Sequence, residues 1–232
     1  MEFTCTRKAG AIILAMLMLF SSVATLSCYA EELREGGLPT DGSFYYYHYS
    51  GDSGYTAAHY RGSSADIVVP DEFDGVPVTG ISGALFDRFE ADGALPAVRS
   101  VTIPKHVADL SLNQAAGVLD LLPQSVEAFY VSGKNQSFSS MDGVLYAKEK
   151  TSLLCYPPAK KESRFVLPAE TEDIRGIIHT EILVIPSNSI LTTLPIASMR
   201  VAGFEIEAGN QNFASYDGAV YSKNFAKLLF LQ

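Results

Sequence analysis

The chain has 232 residues, 47% hydrophobic and 19% charged, which is enough apolar material for a buried core and too much for a disordered tail. Its formal net charge of −9, from 17 basic and 26 acidic side chains with no Lys/Arg-rich stripe, argues against electrostatic binding to nucleic acid. Eighteen Gly and 11 Pro punctuate many short apolar runs, so a turn-rich, strand-rich protein is expected rather than a helix bundle.

At the start, Arg7 and Lys8 precede the apolar run Ala11 to Phe20, and a more polar stretch leads to Cys28-Tyr29-Ala30 before Glu31-Glu32. This is the three-part plan of a secretory signal peptide, and residues 1–30 are assigned to it. The run is too short and too interrupted, by Ser21 and Ser22, to span a bilayer. Cleavage after Ala30 would leave 202 residues with 15 basic and 25 acidic side chains, hence −10, in the periplasm, at the cell surface or secreted. Thr25-Leu26-Ser27-Cys28 also has the small-residue context of a lipoprotein cleavage site, in which case Cys28 would carry the lipid. If cleavage follows Ala30, Cys155 alone survives and no intrachain disulfide can form. Within Leu153-Leu154-Cys155-Tyr156 it is expected as a buried structural thiol.

Residues 31–62 are expected to hold an aromatic β-hairpin or cap, with Phe44 to Tyr49 and Tyr55 to Tyr60 joined by a turn at Ser50 to Gly54. Gly51-Asp52-Ser53-Gly54 and Thr56-Ala57-Ala58-His59 are spelled like the serine and histidine motifs of chymotrypsin-like proteases. Here they lie six residues apart and in reversed order, so the turn is preferred to a hydrolase built on Ser53 and His59. The four histidines, His48, His59, His106 and His179, show no HExxH spacing and no Cys pairs, and no nucleotide-binding glycine motif occurs. Neither catalytic residues, metal nor cofactor is expected.

From residue 63 onward the chain repeats. A short strand ending in Pro recurs at Ile67-Val68-Val69-Pro70, Val101-Thr102-Ile103-Pro104, Phe165-Val166-Leu167-Pro168 and Leu183-Val184-Ile185-Pro186. Proline removes a ladder donor and stops the strand, so each unit is one strand and a turn. Residues 129–157 align without a gap on 204–232, with 11 identities in 29 positions, among them Asn135/Asn210, Phe138/Phe213, Asp142-Gly143/Asp217-Gly218 and Tyr146/Tyr221. Each copy is expected to be a hairpin: an Asp-Gly turn, Val144-Leu145-Tyr146, a polar turn at Lys148 to Thr151, and a returning strand Leu153 to Tyr156. Units that cannot bury an apolar face alone gain a continuous core by stacking, which is the logic of a solenoid.

These residues resemble the BspA-like, or Treponema pallidum type, leucine-rich repeat family of bacterial exported proteins. Ala65 to Phe86 is similar to its opening repeat, Val131 to Pro168 to its hairpin-bearing repeat, and 204–232 begins that repeat again. The resemblance implies a β-rich leucine-rich repeat solenoid over 63–232, of the α/β class, with short strands, hairpin insertions at 129–168 and 204–232, and short helical turns. Residues 105–123 lack the family's aromatic after the second strand, so that repeat is degenerate. The last hairpin stops at Gln232 where the first continues into Pro157, so the final coil is expected to lack a polar cap and to offer an end for self-association.

If the strands before each Pro line the concave side, alternation assigns their outward residues as Val68, Arg99, Thr102, Glu127, Tyr130, Val166, Ile182 and Val184. Several are apolar, and exposed contiguous apolar surface marks interaction sites. The resemblance implies a non-catalytic protein that binds a protein partner through this face, in adhesion or host contact. The second reading is a binder or carrier of an apolar small molecule or lipid in a hydrophobic concave pocket. Against both stands the reading that another part of the chain, for instance the aromatic hairpin, covers the stripe, or that the register is shifted by one residue.

Overall fold

The computed structural model describes residues 38–48, 51–89, 91, 93–110 and 122–231. The signal segment, Cys28 and residues 111–121 of the degenerate repeat lie outside them. Two parallel three-stranded ladders are the backbone of the fold. In the first, β3 (Asp66–Val68), β6 (Ser100–Ile103) and β8 (Ala128–Val131) stack so that Ile67, Val101 and Phe129 share a row, as do Val68, Thr102 and Tyr130. In the second, β12 (Arg164–Val166), β14 (Ile178–Ile185) and β15 (Met199–Ile206) align Phe165 with Leu183 and Phe204, and Val166 with Val184 and Glu205. The strands that run into Pro70, Pro104, Pro168 and Pro186 are thus laid side by side, with alternate residues inward.

The two ladders are not one sheet. Past β8 the hydrogen bonding passes to the tip of the first hairpin, where the Phe129 amide donates to the Gly143 carbonyl at 2.8 Å, and to Ala159, whose amide donates to the Val126 carbonyl at 2.8 Å. Gly143 is required here twice over. Its φ is +78°, and a Cβ on it would stand 2.9 Å from Ala128 Cβ.

The hairpin copies match in detail. β9 (Phe138–Met141), β10 (Val144–Ala147) and β11 (Ser152–Cys155) form the first; β16 (Phe213–Tyr216), β17 (Ala219–Ser222) and β18 (Leu228–Phe230) form the second. Both turns have positive φ at Asp and Gly, as a two-residue type I′ turn requires, and both ladders shift register at the same place, Leu145/Tyr146 and Val220/Tyr221. β4 (Glu72–Phe73) and β5 (Val76–Ile81) make a third such hairpin around Asp74-Gly75.

In the first copy Leu145, Leu154 and Cys155 belong to the N-terminal core with Phe129, Val101 and Ile67, whereas Val144, Tyr146, Leu153 and Tyr156 belong to the C-terminal core with Phe165, Ile178 and Leu183. This sheet is a wall between two cores. That is why Val144-Leu145-Tyr146 and Leu153-Leu154-Cys155-Tyr156 are unbroken apolar runs rather than alternating ones.

The aromatic hairpin, β1 (Tyr45–Tyr47) with β2 (Tyr55–Ala58), is antiparallel, and its strands are shorter than the expected 44–49 and 55–60. It is built into the repeat body, since β2 pairs in parallel with β5, and β5 in turn with β7 (Asp109–Leu110). β13 (Asp173–Ile174) adds a short parallel strand to β11.

Two buried asparagines peg successive units. Asn135 Nδ2 donates to the carbonyls of Pro104 and Val107 at 2.7 and 2.8 Å, and its Oδ1 accepts the amides of Ser137 and Phe138 at 2.8 and 2.7 Å. Asn210 repeats the motif, donating to Pro186 at 2.7 Å and accepting from Asn212 and Phe213. The proline that ends one strand therefore presents its carbonyl to the asparagine of the next unit.

Candidate outward binding face

The outward side of the first ladder carries Val68, Thr102 and Tyr130 in one cross-strand row. Val68 is 62% exposed and Tyr130 55%, with Thr102 partly covered between them. Beside the row, Arg99 ion-pairs with Asp66, and Ser100 Oγ donates to Asp66 Oδ1 at 2.7 Å. The Arg99 hydrogen bond, with Ser100 behind it, holds the Asp66 carboxyl below its ordinary range. Glu127 is exposed on the same flank. An apolar strip fixed beside paired charges is the result. The aromatic hairpin does not lie over this strip, because its rings pack instead on Phe73, where Tyr46 stacks at 4.2 Å, and on Phe89, where Tyr45 meets an edge at 5.1 Å.

The second ladder differs from expectation. Val166 is 43% exposed, but Val184, on the same face and directly beside it, is 0% exposed, and Ile182 is half-buried. The alternation is correct and the exposure is not, because the face is covered. Arg164 on β12 and Glu205 on β15 flank β14, and Arg164 Nε and Nη2 donate to Glu205 Oε2 and Oε1 at 3.1 and 2.9 Å. With strands about 4.8 Å apart, such a pair must pass over the middle strand between Ile182 and Val184. Val184 and Ile182 are accordingly removed from the open surface. Arg164 stands two residues before Val166, so alternation alone could have placed it on this face. Its partner 41 residues away has no local signal.

A cavity of about 500 Å³ opens where β14 and β15 extend beyond β12, lined by Lys161, Glu162, His179, Thr180, Glu181 and Arg200 among others. Most of its lining residues are charged or polar. Desolvation first, and the neighbouring Arg200 second, lower the pKa of His179.

Ser53 is exposed in its turn, and the His59 ring is engaged elsewhere, with Nε2 at 2.6 Å from the Tyr47 hydroxyl and Nδ1 at 3.0 Å from the Asp87 carbonyl. His48 packs on Tyr55, 5.0 Å between ring centroids. Cys155 is a buried free thiol whose pKa burial pushes up to about 12, so it is a poor nucleophile. Among the described residues no group of three or more His, Cys, Asp or Glu is placed to hold a metal, and no helix is long and apolar enough to cross a membrane.

No protein-family model matches the chain, and comparison with curated proteins finds no match. Among solved structures, a leucine-rich repeat protein from Eubacterium ventriosum aligns over 62% of this chain and 42% of its own, with a TM-score of 0.37 and 18% identity. The pneumococcal vaccine antigen PcpA aligns over 63% and 40%, with a TM-score of 0.38 and 19% identity. A leucine-rich cell surface protein from Faecalibacterium prausnitzii aligns over 73% and 76%, with a TM-score of 0.34 and 11% identity. The chain thus spans about two fifths of the length of the first two.

Proposed function

We propose that this chain is an exported, non-catalytic leucine-rich repeat solenoid of the BspA-like kind that binds a protein partner through the outward face of β3, β6 and β8. The observation that carries the reading is the row Val68, Thr102, Tyr130, with exposed apolar ends and the Asp66–Arg99 pair beside it. An exposed aromatic flanked by paired charges has the make-up of a protein-binding hot spot, in which Tyr supplies area and the charges set orientation. The signal-peptide pattern at residues 1–30 supports export. The alternative, an apolar ligand, would have to be held on the same outward face, since the cavity beside β14 and β15 is lined by Lys161, Glu162, Glu181 and Arg200.

The test is a photo-crosslinking residue at position 130 in the full chain, made in its own cells, beside a control at exposed position 170. Discrete protein adducts are expected from position 130 alone and should disappear in a Val68→Asp background. Equal labelling from both positions, or none from 130, overturns the assignment.

A further inference from the structure

Beyond the start of β12, the sheet of β14 and β15 gathers basic side chains in a chain whose net charge is −9. Ile178 and Met199 are paired across the two strands and buried in the C-terminal core, so His179 and Arg200, paired one place on, point away from it. The segment 161–163 runs alongside, with the Ile182 amide donating to the Ser163 carbonyl and the Thr180 hydroxyl to the Glu162 carbonyl, both at 2.8 Å. Continuing the register of Arg164 with Ile182 back three places sets Lys161 beside His179. Lys161, His179 and Arg200 therefore form one cross-strand row, and Glu181 follows two residues along β14 on the same side. All four line the cavity of about 500 Å³, a size within the range of small-molecule sites.

Glu162 is held by Lys160 Nζ at 2.7 Å, whereas among the described residues no opposite charge lies within ion-pair distance of Lys161, Arg200 or Glu181. The Arg200 guanidinium is anchored instead by the carbonyls of Ala197 and Met199, at 3.2 and 3.3 Å. His179, whose pKa is held down by desolvation first and by Arg200 second, is mostly uncharged at neutral pH and offers a hydrogen bond between the two cations. Two cations thus face one free carboxylate, and the lining has a single apolar side chain, Ala202, which gives a lipid tail nothing to bury against. We propose that this cavity binds a sugar acid, its carboxylate held by Lys161 and Arg200 and its hydroxyls donating to Glu181. Lys and Arg only donate and a carboxylate only accepts, so the ligand must accept at one end, donate at the other and carry net negative charge. A hydroxylated carboxylate does all three. The cavity is separate from the Val68–Thr102–Tyr130 row and does not depend on the reading of that row.

The probe is sodium glucuronate, titrated into the isotopically labelled chain while backbone amide signals are followed, with glucose, acetate and glutamate as comparison ligands. Saturable shifts are expected around His179, Glu181 and Arg200. Glucose and acetate should each bind at least about tenfold more weakly, since one lacks the carboxylate and the other the hydroxyls. Lys161→Glu should weaken glucuronate by about tenfold or more, and Glu181→Gln should weaken glucuronate while leaving acetate unchanged. Lys161 is exposed, and an unchanged amide spectrum away from the cavity shows that the variant folds. Absence of saturable shifts up to tens of millimolar glucuronate, equal binding of glucose or acetate, or indifference to Lys161→Glu overturns the proposal. Glutamate binding more tightly than glucuronate would assign the cavity to an amino acid and overturn it as well.

Discussion

Arg164 and Glu205 meet across a strand that belongs to neither of them. Their forked pair joins β12 to β15 and passes over β14, where Arg164 is registered beside Ile182 and Glu205 beside Val184. The pair itself is solvent-facing, and the Arg164 hydrogen bond holds the Glu205 carboxyl below its ordinary range. Exposed ion pairs contribute little to stability. The consequence here is for the surface, because an outward valine becomes a covered one.

That cover separates two valines that the sequence treats alike. Val184→Asp would place a carboxylate in a fully buried site directly opposite Glu205, and should destabilise the chain by about 3 kcal/mol, lowering Tm by roughly 6–12 °C. Val68→Asp, at an open position, should stay within about 0.5 kcal/mol. Urea unfolding of the two variants decides the matter. Equal, small effects would mean that Val184 is open.

The asparagine pegs should differ in weight. Asn135→Ala strands two carbonyls and two amides in the core and is expected to cost about 3 kcal/mol or more. Asn210→Ala removes one donor contact and two acceptor contacts and should cost about 2 kcal/mol. Denaturant midpoints of both variants, measured side by side, check the order. Asn135→Asp should be no milder than the alanine variant, since a carboxylate would then face the Pro104 and Val107 carbonyls.

Alkali should weaken the fold within a defined window. Burial raises the Cys155 thiol from 9.0 to about 12, and burial aided by the Glu162 charge raises the Tyr156 phenol from 10.0 to about 12. The unfolded chain therefore loses these protons first. The contribution of these two groups should be level below the lower ordinary value of 9.0 and should decline as pH rises toward about 12. Urea midpoints across that range check the sign. Iodoacetamide labelling mapped to Cys155 should be at least 100-fold slower in the native chain than in the unfolded one, at about pH 8.5.

Much of this was legible in the residues. Proline-terminated strands appear where Pro70, Pro104, Pro168 and Pro186 end them, and the 75-residue offset between hairpins reproduces even the register shift after Leu145 and Val220. The Asp-Gly pairs at 142–143 and 217–218 adopt the positive φ values that their chemistry favours. In the first ladder Val68, Thr102 and Tyr130 stand in one cross-strand row, one position removed from the inward Ile67, Val101 and Phe129. The eight-residue lengths of β14 and β15 were not legible, because Ile178–Glu181 and Met199–Ala202 mix polar and apolar residues and gain a strand partner only from one another.

What the sequence determined by itself is whatever depends on neighbours a few positions away: strand periodicity, where proline stops a ladder, which turns need a left-handed Asp-Gly, and which face each side chain takes. The tertiary structure decided what stands opposite each face. It set the first hairpin as a wall between two cores, put Gly143 against Ala128, and laid Arg164 and Glu205 over Val184. Alternation fixes the direction of a side chain, but exposure depends on groups tens of residues distant that only the stacking of units brings together.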